Sequence, residues 1–126
     1  MDETPLASLL ERFRPLGEAV CARLEAAIAE LGLPRGESRP RPVFALADYA
    51  AVKDPFSGEL GLTASWTDPH GHRIGTLRFH GDGSFYAEFD VAEPHPTDRR
   101  WFIEAVTAWG RDGVIKSEPR LLPALE

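Results

Sequence analysis

Imidazole is the side chain best suited to hold a metal or shift a proton near neutral pH, and this chain has four, two of them as His70-Gly71-His72. A metal needs a third ligand. In the hairpin register that the apolar pattern implies (below), His80 lies at the far end of the second strand, about 25 Å away at ~3.3 Å per residue. His95 follows a third strand that runs back towards the pair. The candidate metal set is therefore His70, His72 and His95 at the 69–72/93–95 end, with Glu93 or Asp90 as oxygen ligands. The ordinary reading is of exposed histidines in turns beside prolines, and a metal site also needs partners that orient its ligands. No cofactor is assigned.

A second constellation lies on the solvent side of the expected sheet. Thr63, Arg78 and Tyr86 form one row, Ser65, Thr76 and Glu88 the next, and Thr67, Ile74 and Asp90 the third. Arg78 would contact an anion and Tyr86 would offer an apolar platform, and these residue types are enriched where binding energy concentrates. Arg78 is also diagonal to Glu88, so the two can pair with each other. Trp101, beside Arg99 and Arg100, adds a further interface candidate. The candidate partner face is thus Thr63, Ser65, Arg78, Tyr86, Glu88 and Trp101. An antiparallel sheet commonly leaves one face in water, which is the plainer explanation of the same residues.

Other chemistry is poorly supported. Glu88 and Asp90, two apart on a strand, have the roughly 6.6–7 Å separation of an inverting glycosidase, but such acidic pairs ordinarily serve solvation. Cys21 sits inside a helix and lacks the electropositive setting of a reactive thiolate. Gly81-Asp82-Gly83 is followed by Tyr86 and a strand, not by the third glycine and helix of a dinucleotide site. No phosphate-loop lysine, HExxH or nucleophile-elbow serine is present.

The elements that would position these residues follow from periodicity. Thr4-Pro5 suits a helix start, and Leu6, Leu9, Leu10 and Phe13 recur at helical spacing. Pro15 predicts a kink or break. Leu16, Val20, Leu24, Ala27, Ile28 and Leu31 continue the stripe to Gly32 and Pro34. Residues 34–42 read as a proline-rich linker. Val43 to Val52 is divided between strand and helix signals, leaning to a strand through about Tyr49, and residues 54–58 read as a turn.

From 59 to 91 the period becomes two. Leu62 opposite Phe79, Ala64 opposite Leu77, and Trp66 opposite Gly75 give a first hairpin with Asp68 facing Arg73. Phe79 opposite Phe85 and Leu77 opposite Ala87 give a second, closed by Gly81-Asp82-Gly83. Thr97 and Asp98, then Phe102, Ala105, Val106 and Trp109, then Gly110, predict a C-terminal helix. Val114 to Ser117 reads as a short strand, with Leu121, Leu122 and Leu125 in a packed tail. The expected fold is α+β. A three-strand meander (59–91) with one or two edge strands carries a kinked N-terminal helix and a C-terminal helix on one face. The whole is one domain over 1–126, with 1–33 helical and 43–126 the sheet plus last helix.

Composition narrows the function. The chain has 126 residues, is 43% hydrophobic, and carries a net charge of −6. The charge divides as −3 over 1–32, +1 over 33–58 and −4 over 59–126, so no segment offers the basic footprint of a nucleic-acid binder. Asn and Gln are absent and twelve of the fourteen bases are Arg, a bacterial-like usage that reflects genome composition. A single cysteine excludes an internal disulfide. Neither a signal peptide nor an apolar run of membrane-spanning length is seen, which points to the cytoplasm. The expectation is a non-enzymatic module that binds a protein partner or a second copy of itself. The alternatives are a metal-binding protein or enzyme at the histidine end, or a small-molecule carrier with a pocket between helices and sheet.

Overall fold

A computed structural model describes residues 4–33 and 41–124. One helix, α1 (Thr4–Glu30), precedes a 3-10 turn (Phe44–Leu46) and six strands: β1 (Asp48–Lys53), β2 (Leu60–Thr67), β3 (Arg73–Phe79), β4 (Ser84–Pro94), β5 (Trp101–Arg111) and β6 (Val114–Pro123). The strands pair antiparallel in the order β1-β2-β3-β4-β5-β6, a single meander. The expected linker falls mainly on 34–40, outside the described residues, as does Leu125 of the expected tail.

The apolar stripe of α1 lies against one sheet face. Leu9, Phe13, Val20, Leu24 and Ala27 are buried there, and the Phe13 ring stacks on Phe79 with centroids 4.7 Å apart. Pro15 does not break the helix, which runs unbroken for 27 residues. The ring costs one backbone hydrogen bond, whereas Phe13 on one side and Val20 and Leu24 on the other are each worth about 1.5–3 kcal/mol when buried. Tertiary packing outweighs the local penalty.

In the central strands the alternating pattern produces the anticipated pairing. Leu62 faces Phe79, Ala64 faces Leu77, Leu77 faces Ala87, and Phe79 faces Phe85. Gly75 lies between Trp66 and Phe89, whose rings meet edge-on at 5.9 Å. A Cβ at Gly75 would come within 2.5 Å of Phe89 Cδ1, so the missing side chain lets that ring lie across the strand. One detail differs. Thr67, not Asp68, faces Arg73, because a bulge after Trp66 inserts Ile74 as an extra residue. Ile74 consequently loses its place opposite Thr67; it is half-buried against the edge of the core and still lines the hollow that holds Asp90.

The expected C-terminal helix does not exist. Residues 101–111 form β5, paired with β4 on one side and β6 on the other, so the sheet has six strands and the helical layer is α1 alone. Phe102, Ala105, Val106 and Trp109 imitate a helical face because β5 holds a continuous buried run, Ala105 to Ala108, after the irregularity at Ile103/Ala105, and that run hides strand alternation. β-branched and aromatic residues then favour the ladder. Gly110 is no helix cap; it faces Ile115 inside the sheet. The decisive local signal is Asp112-Gly113, both at positive φ (55° and 84°), the two-residue turn that joins twisted antiparallel strands. The predicted short strand at 114–117 is the first part of β6.

The segment 43–52 splits. Val43 and Phe44 enter the 3-10 turn, with the Trp66 indole Nε1–H donating to Val43 O at 2.8 Å and the Tyr49 hydroxyl donating to Phe44 O. The strand begins only at Asp48. The result is two layers, with the core between α1 and one sheet face. Among the described residues no helix is long and apolar enough to cross a membrane.

Candidate functional site

The sheet face away from α1 has no covering element among the described residues. Its residues alternate with the buried ones, so side chains directly opposite across strands form rows. One row runs Ala50, Thr63, Arg78, Tyr86, Trp109, Lys116, and the next Asp48, Ser65, Thr76, Glu88, Thr107, Glu118. The expected rows Thr63–Arg78–Tyr86 and Ser65–Thr76–Glu88 are therefore present, and β5 and β6 extend them. Trp109, expected on an apolar helix face, instead stands half-buried beside Tyr86, which is 41% exposed. Arg78 and Lys116 flank this aromatic pair, and neither forms an ion pair with another described residue. The Thr63 hydroxyl is buried without a hydrogen-bond partner among the described residues.

Arg120 organises the centre of the face. Its Nη2 donates to Glu88 Oε2 at 2.7 Å and to the Tyr86 hydroxyl at 2.9 Å, and its Nη1 to Glu104 Oε1 at 3.3 Å. The expected Arg78–Glu88 pair is thus replaced by Arg120–Glu88. The guanidinium reaches past Thr107, which is small and itself engaged, its hydroxyl donating to Glu118 O at 3.0 Å. Glu104 joins because irregularities at Asp90/Glu93 and Ile103/Ala105, with Ala92 at φ 52°, turn it out of the core. The two carboxylates hold the Arg120 pKa above its ordinary value. Asp90, though exposed at its edge, is pushed up, first by desolvation and then by Glu88 and Glu104. A hollow of about 410 Å³ lies here, lined among others by Arg73, Glu88, Asp90, Glu104 and Arg120. Chemically it offers fixed charges of both signs, beside an aromatic pair flanked by the cations Arg78 and Lys116.

The histidines are placed otherwise. Asp68 Oδ1 accepts the backbone N–H of His70 (2.8 Å) and His72 (2.9 Å), and Oδ2 lies 3.5 Å from His72 Nδ1. These hydrogen bonds, His72's first, hold the Asp68 carboxyl below its ordinary pKa. His95 Nδ1 accepts backbone N–H groups of Thr97 (3.2 Å) and Asp98 (3.1 Å), which closes the turn before β5. Among the described residues no three His, Cys, Asp or Glu side chains are grouped so as to hold a metal. Cys21 is buried against Val20 and Leu24, and burial, with Glu25 and Glu18 nearby, pushes its thiol up to about 12.

Trp101 is separate from the rows above. It lines a hollow at the end of β4, β5 and β6, with Pro94, His95, Arg99, Phe102 and Leu122. The sequence does not single out Arg120, Glu104, Trp109 or Lys116 for the site: Glu104 and Trp109 fall in the expected helix, Arg120 in the expected tail, and Lys116 in a short strand with no expected neighbour. Asp112-Gly113 is the local signal for part of this set: a two-residue hairpin turn there pairs Trp109 with Lys116 and Thr107 with Glu118. Compared with protein-family models, with curated proteins and with solved structures, the chain matches none.

Proposed function

We propose that this chain is a protein-binding module that recognises its partner through the open sheet face. One observation carries the reading: the Tyr86–Trp109 pair stands in register between the cations Arg78 and Lys116, neither ion-paired with a described residue, on a face that no described element covers. Partly exposed aromatics with an arginine beside them are the residues that dominate binding energy at protein interfaces. The Arg120–Glu88–Glu104 network supplies a preorganised polar border, so little ordering is needed on association. A partner segment with an apolar centre and acidic flanks complements this arrangement. A second copy of the chain is one version of that partner, and sedimentation at two concentrations distinguishes it. The chain's net charge of −6 argues against a nucleic-acid partner, and its single buried cysteine is consistent with a cytoplasmic setting.

The test is quantitative affinity capture with the immobilised chain, repeated with Tyr86→Ala/Trp109→Ala and with Glu18→Ala on the exposed side of α1, all verified as folded by circular dichroism. The reading expects a protein held by the wild type and by Glu18→Ala, and depleted about tenfold or more by the double variant. Equal capture by all three contradicts it.

A further inference from the structure

The hollow at the end of β4, β5 and β6 has a volume of about 640 Å³, within the range of small-molecule sites. Pro94, Phe102 and Leu122 cross these strands in register and form an apolar row, with Trp101 and Pro123 paired alongside. Leu122 is 41% exposed, although it is large and apolar. The walls are pinned by the backbone: His95 N donates to Trp101 O at 3.1 Å, and Ala124 N donates to Arg100 O at 2.9 Å. The cavity is therefore formed before any ligand arrives.

Its polar groups share one character. Asp98 binds Arg100 through both carboxylate oxygens (3.0 and 2.8 Å), which occupies that cation and lowers the Asp98 pKa to about 2. Arg99, which lines the hollow, forms no ion pair with another described residue. His95 also lines it, and because its Nδ1 accepts two backbone N–H groups, the neutral ring carries its proton on Nε2 as a donor. An apolar floor thus meets a guanidinium with no ion-pair partner among the described residues and a fixed N–H donor, with no carboxylate among the described lining residues.

We propose that this hollow binds a small apolar carboxylate, an aryl- or alkyl-alkanoic acid whose hydrocarbon lies on Trp101, Phe102 and Leu122 and whose carboxylate meets Arg99. The site is independent of the partner face around Tyr86 and Trp109, and either can fail without the other.

The probe is 4-phenylbutyrate, titrated into the 15N-labelled chain, with 4-phenyl-1-butanol as its uncharged counterpart and Arg99→Ala as the variant. The expected result is a saturable shift of the Trp101 indole N–H and of the Phe102 and Leu122 amides, unchanged in Tyr86→Ala. Affinity falls about tenfold for the alcohol and for Arg99→Ala, as loss of a charge-assisted hydrogen bond requires. Absence of saturable shifts at these residues overturns the proposal. So does equal binding of acid and alcohol, or of wild type and Arg99→Ala. Leu122→Ala, at an exposed position, guards against a purely electrostatic contact: it must also weaken binding.

Discussion

The two faces of the sheet are built by the same strands and behave as different materials. On the α1 side, Leu62, Leu77, Phe79 and Ala87 are almost completely removed from water. On the other side, their immediate neighbours Thr63, Arg78 and Tyr86 meet solvent or one another. Successive strand residues point to opposite faces, so one residue of sequence separates a group that stabilises the fold from one free for recognition. Stability and binding should therefore respond to different substitutions in the same strand.

The sharpest contrast is within β3 and β4. Leu77→Ala, or Leu24→Ala across the core, should lower unfolding free energy by about 2–5 kcal/mol in urea titrations, since each leaves a cavity in the packed layer. Tyr86→Ala, on the open face, should cost about 1 kcal/mol or less while removing partner capture. Equal losses of stability at the two positions would erase the distinction between the faces.

Arg120→Ala probes the open face alone. It leaves Glu88, Glu104 and Asp90 without their shared cation, and Arg120 is what holds the Asp90 pKa down against burial and its two acidic neighbours. A carboxyl whose folded pKa lies above its unfolded value loses stability as pH rises through that interval. The variant raises the Asp90 pKa further, so its deficit relative to wild type should be largest at neutral pH and shrink on acidification as Asp90 is protonated. For a pair this exposed the deficit is about 1 kcal/mol, read as a difference in melting temperature at neutral and at acidic pH. A deficit that grows on acidification would place Arg120 outside the network.

Cys21 gives the mildest contrast, on the covered side. With its thiol held up to about 12 by burial and by Glu25 and Glu18, it should react with a disulfide reagent at pH 8 only after unfolding in urea. Rapid reaction in the native state would mean that α1 lifts from the sheet.

How much of this was readable in the chain depends on how one-sided each strand is. The segment 60–91 alternates because one side is core and the other water, and its register follows from setting Leu62 opposite Phe79, Ala64 opposite Leu77 and Phe79 opposite Phe85. β5 instead carries a run of four consecutive buried residues, Ala105 to Ala108, beside the irregularity at Ile103/Ala105. There Phe102, Ala105, Val106 and Trp109 satisfy helical spacing as well as strand pairing, and only Asp112-Gly113 argues locally for a hairpin. Losing β5 also lost half of the site, since Trp109, Glu104 and Arg120 enter it through β5 and β6. The irregularities at Ile74 and Ala92 are set by long-range pairing and have no local residue pattern to announce them.

The central claim is that recognition belongs to the open face, and side-chain resonances of the complex with the captured partner test it most directly. Unlabelled partner added to labelled chain should perturb the Trp109 indole, the Tyr86 ring and the Arg78 and Lys116 side chains, leaving Glu18 and Arg14 on the exposed side of α1 unchanged. Perturbation confined to α1, with the Tyr86–Trp109 row silent, would contradict the account.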